Sequence, residues 1–365
     1  MTDTLARARD ALDALHAYGD AARAAVAARV APAGKADPAL LDAQQRAAHG
    51  CAWVATIIAA LDALVGWAEA AQSRGQYGAG EALVLELAFG EYGAQVLGGL
   101  PISANELVRP AQMGLAEAAA ILAGNPAMAS LIEAAADPRP RADLIAHIRA
   151  GGTIAESLGD ETIDTIRDQY RRFTAHKITP HAHRWHLDDA LIPDSLIADL
   201  AALGTFGLCI APEYGGLGLG KLEMCVVTEE LSRGWIGAGS LGTRSEIAGE
   251  LVGLAGTEQQ KAAWLPGIAS GAVLPTAVFT EPANGSDLAT MTTRAVRQGG
   301  GWSITGAKTW ITHAARSDLM TLLARTGGEG SGGLSMFLAR KPRGTEADPF
   351  PAPGMSGSEI AVLGY

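Results

Sequence analysis

The stretch "TAVFTEPANGSD" (residues 276–287) changes character within a few residues. The apolar run Leu274 to Phe279 meets Thr280-Glu281-Pro282 and breaks into Asn284-Gly285-Ser286-Asp287. Proline ends a strand ladder and Asn-Gly is strong turn chemistry, so a strand here ends in a polar turn. Turns are commonly made of such residues. Hydroxyls, acids and a glycine packed this tightly also suit a turn that grips something flat and polar.

Working outward from that turn, the period of the text differs on its two sides. Downstream, "TTRAVRQGGGWSITGAKTWITHAARSDLMTLLAR" (292–325) alternates, with Gly-rich turns, and "GGLSMFLAR" (332–340) follows. This predicts short antiparallel strands. Upstream, from Ile154 to about Ser270, the text is mostly helical. Its breaks are "ITPHAHRWH" (178–186), "APEYGGLGLG" (211–220) and "GTEQQ" (256–260). Residues 1–150 are alanine-rich and also helical. Within them, "DPALLDAQQRAAHGCAWVATIIAALDALVGWAEAA" (37–71) is apolar on most sides, as suits a helix buried in a bundle. "GGLPISANELVRP" (98–110) interrupts the helical pattern, and "ADPRPRAD" (136–143) and "AGGT" (150–153) read as connections.

The expected fold class is therefore α+β in three parts. A helical extension covers 1–150, a helical domain 151–272, and an antiparallel β domain 273–365. The text stops at Tyr365 inside what reads as another strand, so the β domain is expected to be incomplete.

The chain has 365 residues, 48% of them hydrophobic, which is ample to bury more than one core. Its net charge of -11 is spread along its length, with no basic face or tail. That argues against nucleic acid and anionic membrane as partners. The longest uncharged stretch, Ala262 to Thr280, contains Pro266, Gly267, Gly271 and Pro275, and reads as loop plus strand rather than a membrane span. Cys51, Cys209 and Cys225 sit far apart in apolar surroundings. They read as small buried hydrophobes in a reducing, cytoplasmic setting.

Three other features invite chemical readings. "GGLGLGKL" (215–222) nearly spells a phosphate-binding loop, but Leu222 stands where Ser or Thr must reach magnesium. A tight turn before a helix is the better reading. His176, His181, His183 and His186 cluster, yet no Cys or acid completes a ligand set before Asp188, so no metal is expected. Arg244 is a lone cation in a small-residue helix that begins Gly237, Ala238, Gly239, Ser240 and Gly242. Small residues suit a backbone that approaches a ligand closely. Arg244 itself is either a surface arginine lying along its helix or a carboxylate clamp.

Five stretches, in this order, carry a family resemblance: "LGTFGLCIAPEYGGLGL" (203–219), "VVTEELSRG" (226–234), "LAGTEQQKAAWLPGIASG" (254–271), "TAVFTEPANGSD" and "GAKTWITHAARSD" (306–318). Together they resemble the acyl-CoA dehydrogenases. The resemblance implies that the Thr-Glu-Pro turn holds the isoalloxazine of FAD, through Ala277, Val278, Phe279, Thr280, Gly285 and Ser286. Backbone amides around Phe279 and Thr280 would face the pyrimidine edge, and fixed donors there favour an electron-rich flavin. Ser286 would meet the acyl-CoA as well. Trp310, Ile311 and Thr312 would pack on the ring, with Thr312 reaching N5. His313 stands where many members carry Asn.

The implied reaction is α,β-dehydrogenation of an acyl-CoA thioester, here a short branched dicarboxylyl ester, with Arg244 on its free carboxylate. Electrons would pass to electron-transfer flavoprotein, and the enzyme would be a homo-oligomer. The catalytic carboxylate is expected beyond Tyr365, so residues 1–365 alone are expected to be inactive. An oxidase or flavin monooxygenase on the same fold, or a non-catalytic fragment, are the alternatives. Gln95, Gly98, Gly99 and Arg109 also match the family's C-terminal segment, while Glu117 is in the wrong context for its catalytic motif. The extension is thus either a degenerate copy of the C-terminal helical domain kept for packing, or a coincidence within Ala/Gly-rich helices.

Overall fold

The computed structural model describes residues 2–362, and the chain divides into two compact units, Met1–Gly159 and Asp160–Tyr365. The first is built on α1 (Thr2–Val30), α2 (Pro38–Ala43), α3 (Gln45–Ser73) and α4 (Ala79–Gly98). A hairpin of β1 (Leu100–Ser103) and β2 (Glu106–Val108) follows, then α5 (Pro110–Met113), α6 (Ala116–Ala123), α7 (Pro126–Ala136) and α8 (Pro138–Arg149). Leu5, Ala8, Leu12, Leu15, Ala22 and Val26 recur at helical spacing on α1 and are all buried. They meet Val54, Ile57, Leu61 and Val65 of α3 in one core. Where α4 crosses α7 the backbones touch: a Cβ on Gly90 would overlap Ala135 and the Leu131 carbonyl.

Several local expectations are corrected here. α3 is long and apolar enough to cross a membrane by length and composition. It is not buried all round, however. One face packs in the core, while Ala52, Trp53, Ala55, Thr56, Ala59, Ala60 and Ala63 are exposed, because alanines add little area worth burying. Residues 138–143, read as a connection, start α8: Asp137 caps it and Pro138 occupies the first turn, where no N–H is missed. Residues 151–159 belong to the first unit rather than to the second. The Ala155 amide donates to Glu81 at 2.7 Å, its carbonyl accepts from the Trp67 indole at 2.7 Å, and Arg74 donates to the Ser157 carbonyl.

The second unit begins with α9 (Glu161–Phe173), α10 (Thr179–Leu187), α11 (Asp194–Ala202), α12 (Lys221–Gly234), α13 (Ile236–Ala255) and α14 (Glu258–Ala269). The stretch 178–186 is not a break. A π turn over Thr174–Ile178 runs into α10, whose Pro180 lies in the first turn. Residues 262–269, read as loop, are the end of α14, which tolerates Pro266. The near-P-loop is a turn, with Gly215 and Gly218 at positive φ, and Lys221 is engaged by Glu246 and Glu250. Cys51 and Cys209 are half-buried and Cys225 is exposed, so the three thiols, all free, are not the buried hydrophobes expected.

The strands β3 (Pro275–Val278), β4 (Arg294–Gln298), β5 (Gly301–Thr305), β6 (Leu319–Arg325) and β7 (Leu334–Arg340) form one sheet in the order β3-β6-β4-β5, with β7 also on β6. The sheet is mixed, not antiparallel. β3 lies parallel to β6, pairing Pro275 with Leu319 through Val278 with Leu322, whereas β4–β5 and β6–β7 are antiparallel. Parallel pairing needs a long return path, and residues 279–318 supply one, containing the β4–β5 hairpin and two loops. "TWIT" falls in the second of those loops, outside any strand. α13 packs against β3, which sets a helix beside the strand end where the opening turn begins.

Candidate functional site

The two motif segments are brought side by side. The Thr276 hydroxyl donates to the Thr312 carbonyl at 2.6 Å, the Thr309 amide to the Thr280 carbonyl at 3.0 Å, and Lys308 Nζ to the Phe279 carbonyl at 2.8 Å. Val278 is buried, so it can offer a ligand only its backbone, whereas Ala277, Phe279, Thr280, Ile311 and Thr312 are half-buried and Gly285 and Ser286 are exposed. Trp310 is 62% exposed and has φ +58, a left-handed conformation rare for so large a residue. Gly285 has an ordinary φ and room for a Cβ, so the fold by itself does not require glycine there. Among the described residues, the Thr280 N–H and the hydroxyls of Thr280, Thr312 and Ser286 have no hydrogen-bond partner.

Glu281 explains the acid in the turn. Its carboxylate is buried and accepts from the Thr293 amide at 2.7 Å, the Thr292 amide at 2.8 Å and the Thr292 hydroxyl at 2.9 Å, with Lys308 Nζ at 3.3 Å. Burial by itself would raise its pKa. The hydrogen bonds from Thr293 and Thr292 outweigh burial and hold it well below the usual range. Lys308 is lowered, because burial costs its ammonium more than the Glu281 contact returns. The two shifts disagree about the worth of the pair. Three donors besides Lys308 converge on the carboxylate at 2.7–2.9 Å, whereas the ammonium reaches it only at 3.3 Å and has its shorter bond to the Phe279 carbonyl, so Glu281 is held mainly by Thr292 and Thr293.

Two more buried cations pin neighbouring loops. Arg325 donates to the carbonyls of Ala289, Met291, Gly328 and Gly330. Lys341 donates to those of Ala315, Ser317 and Pro342 at 2.7–2.9 Å. Sequence reading missed Lys308, Arg325 and Lys341. Nothing in the sequence set them apart from neighbouring cations such as Arg340 and Arg343.

His313 has φ +63, and Asn and His are among the side chains most tolerant of that region, which accounts for this position. Its Nε2 is buried without a partner among the described residues. Burial, then the nearby Arg316 and Arg343, with Lys341 adding and Asp318 opposing, push its pKa down from 6.5 to about 4. The sign follows from linkage. The folded state holds the imidazole neutral, so the unfolded chain binds the proton first and stability falls as pH drops from 6.5 towards 4. Urea unfolding at pH 7 and at pH 4.5 should show that loss, and His313→Asn should keep the fold at pH 7 while flattening it. Loss of the same size in the variant would show that His313 is not its source.

Arg244 lies on α13 with its Nε buried and unpartnered, and no hydrogen bond or ion pair of its guanidinium is seen among the described residues. Two of the small residues before it, Gly239 and Gly242, are also required by helix packing. A Cβ on Gly239 would overlap Ser232 Oγ and lie 3.0 Å from the Thr228 carbonyl, while one on Gly242 would lie 3.1 Å from Thr205 Cγ2. Gly239 thus seats α13 on α12, and Gly242 seats it on the turn at Thr205. Among the described residues no group of three or more His, Cys, Asp or Glu is placed to hold a metal, and His181 instead packs on Trp185 with centroids 5.3 Å apart.

A helical domain that delivers its chain into a mixed sheet, with paired loops at the strand end, is a recognised domain pair. Residues 160–272 match the acyl-CoA dehydrogenase N-terminal domain, and residues 276–363 the acyl-CoA dehydrogenase middle domain. The chain belongs to the acyl-CoA dehydrogenase family. Over 370 aligned residues it is 51% identical to a (2S)-methylsuccinyl-CoA dehydrogenase of Cereibacter sphaeroides, covering 100% of this chain and 66% of that protein. It is 32% identical over 211 residues to a glutaryl-CoA dehydrogenase of Desulfococcus multivorans, covering 55% of this chain and 51% of that one. Among solved structures, a glutaryl-CoA dehydrogenase from Mycobacterium smegmatis in complex with FADH2 shares 28% identity, with a TM-score of 0.49, covering 55% of this chain and 49% of that one. The chain therefore spans just under two thirds of the first relative's length and about half of the second's.

Proposed function

We propose that this chain forms the flavin- and acyl-binding part of an FAD-dependent acyl-CoA dehydrogenase that oxidises (2S)-methylsuccinyl-CoA to mesaconyl-CoA. The observation that carries this reading is the pairing of 276–280 with 308–312, which leaves the Thr280 N–H and the Thr280 and Thr312 hydroxyls free along β3 and the turn that follows it. These groups fit a flat cofactor with polar edges, and exposed Trp310 fits its face. Bound FAD would accept the β-hydrogen as hydride. The Thr280 N–H would hold the cofactor's pyrimidine edge and Thr312 its N5 side. Ile311 would pack on the ring. Ser286 would orient the thioester.

Removing the α-proton needs a carboxylate base. Glu281 cannot serve, since its carboxylate is fixed by four donors and its pKa is too low to take a proton. We place the base beyond Tyr365. Arg244 would take the free carboxylate of the substrate. The name of the 51%-identical relative supports that acyl group, and the unpartnered guanidinium supports a dicarboxylate. Electron-transfer flavoprotein is the proposed acceptor, a homo-oligomer the assembly and the cytoplasm the setting. The first unit, with Gln95, Gly98, Gly99 and Arg109, is proposed as a packing copy of the family's C-terminal helical domain.

The test is anaerobic titration of the full-length protein with methylsuccinyl-CoA. The flavin absorbance should bleach, and colour should return with electron-transfer flavoprotein and only slowly with air. Absence of bleaching with this and other short acyl-CoA esters would overturn the reading, and fast return in air would make the protein an oxidase.

A further inference from the structure

Lys308 has an uncommon task for a lysine. Its side chain is 10% exposed, and its ammonium meets the Phe279 carbonyl at 2.8 Å, Glu281 Oε1 at 3.3 Å and Met291 Sδ at 3.8 Å. A buried ammonium is costly, and a surface lysine would have served a loop of this kind without that cost. What it gains is control of one peptide plane. Peptide bonds are planar, and no cis bond occurs among the described residues, so the Phe279 carbonyl and the Thr280 N–H point in opposite directions. Drawing the carbonyl towards Lys308 turns the Thr280 N–H to the other side, where no acceptor lies among the described residues. On the far side of Thr280, the Thr309 amide holds the Thr280 carbonyl at 3.0 Å, so the residue cannot swivel about either plane. Glu281 fixes the ammonium in turn and is itself locked by the Thr292 and Thr293 amides.

We propose that Lys308 is a positioning residue: it aims the Thr280 N–H at the bound flavin and thereby raises the cofactor's affinity for electrons. The proposal rests on the flavin reading above. A donor fixed before reaction stabilises charge that gathers near its acceptor, because no reorganisation is needed when the charge arrives. A charge-assisted bond holds the carbonyl more firmly than a neutral one would. Glu281 serves as the anchor for that charge rather than as a ligand for the cofactor.

The experiment uses the full-length, FAD-loaded protein and measures the flavin reduction potential by dye equilibration, together with the Kd for FAD. Lys308→Met keeps much of the side chain's length but cannot donate. It should lower the ratio of reduced to oxidised FAD affinity about tenfold, which is about 30 mV more negative for a two-electron couple. Lys308→Arg retains a charged donor and should recover most of that shift. An unchanged potential in FAD-loaded Lys308→Met overturns the proposal, as does an arginine variant no better than the methionine one. Should Lys308→Met not fold, Lys308→Gln takes its place: its shorter amide cannot reach the carbonyl, so the potential should fall likewise, and a wild-type potential there overturns the proposal too. Wild-type protein that takes up no FAD would sink the flavin reading along with it, whereas a loaded wild type beside an unshifted variant removes this inference alone.

Discussion

Replacing Arg244 with lysine in the full-length protein is expected to lower kcat/KM for methylsuccinyl-CoA by about ten- to a hundredfold, while an uncharged acyl-CoA of similar size loses less. The expectation follows from an imbalance in α13. The Arg244 Nε is buried with no partner among the described residues, and a buried donor left unpaired costs about 1–3 kcal/mol. A substrate that brings its own carboxylate removes the imbalance through a two-pronged pair. Lysine keeps the charge but not the planar fork, so the loss measures geometry rather than charge alone. One charged hydrogen-bonding arrangement is worth roughly 1.5–3 kcal/mol, which gives the stated range. Steady-state rates on both substrates decide the matter. Equal losses would make Arg244 a structural residue and remove the pocket-level support for a dicarboxylate.

Glu230→Ala is expected to destabilise the second unit substantially. This carboxylate on α12 is 1% exposed and takes bonds from Arg171 at 2.6 and 3.0 Å and from Arg167 at 3.2 Å. Burial alone would raise its pKa, but Arg171 above all holds it below 4.5. Alanine would take the shared carboxylate away from two α9 guanidiniums; Arg167, only 13% exposed, would keep Glu229 at 2.9 Å. Breaking one side of a buried pair costs about 3–5 kcal/mol. Urea unfolding of the single variant should show it, and Glu230→Gln should lose less because its amide oxygen still accepts. A loss under about 1 kcal/mol for Glu230→Ala would show that water replaces the carboxylate there.

The sequence made the large divisions readable because they depend on local patterns. Periodicity separated helices from strands on either side of Val273, and the paired motifs at 276–287 and 306–318 pointed to the family and to one shared site. What it hid depends on partners distant in the chain. Whether β3 pairs parallel or antiparallel with β6 is set by how residues 279–318 return, not by anything in β3. Pro138 and Pro180 read as breaks because a proline that stops one helix and a proline that starts the next look alike without the cap beside them. The packing role of Gly239 and Gly242 was hidden because their neighbours, Ser232 and Thr205, lie on other elements. Lys308 and Glu281 looked like ordinary turn residues, since a buried ion pair leaves no pattern in the text.

Three cations among the loops around the sheet share one habit: Lys308, Arg325 and Lys341 bond chiefly to main-chain carbonyls, those of Phe279, of Ala289, Met291, Gly328 and Gly330, and of Ala315, Ser317 and Pro342. A carbonyl is the same on every residue. The anchors therefore fix the course of the loops without reading their side chains, and residues such as Ala289 and Ala315 can be exchanged without removing the carbonyls that the cations hold. The loops are free to diversify while the three cations are not, and a library randomised at those loop positions should return folded proteins far more often than one randomised at the cations.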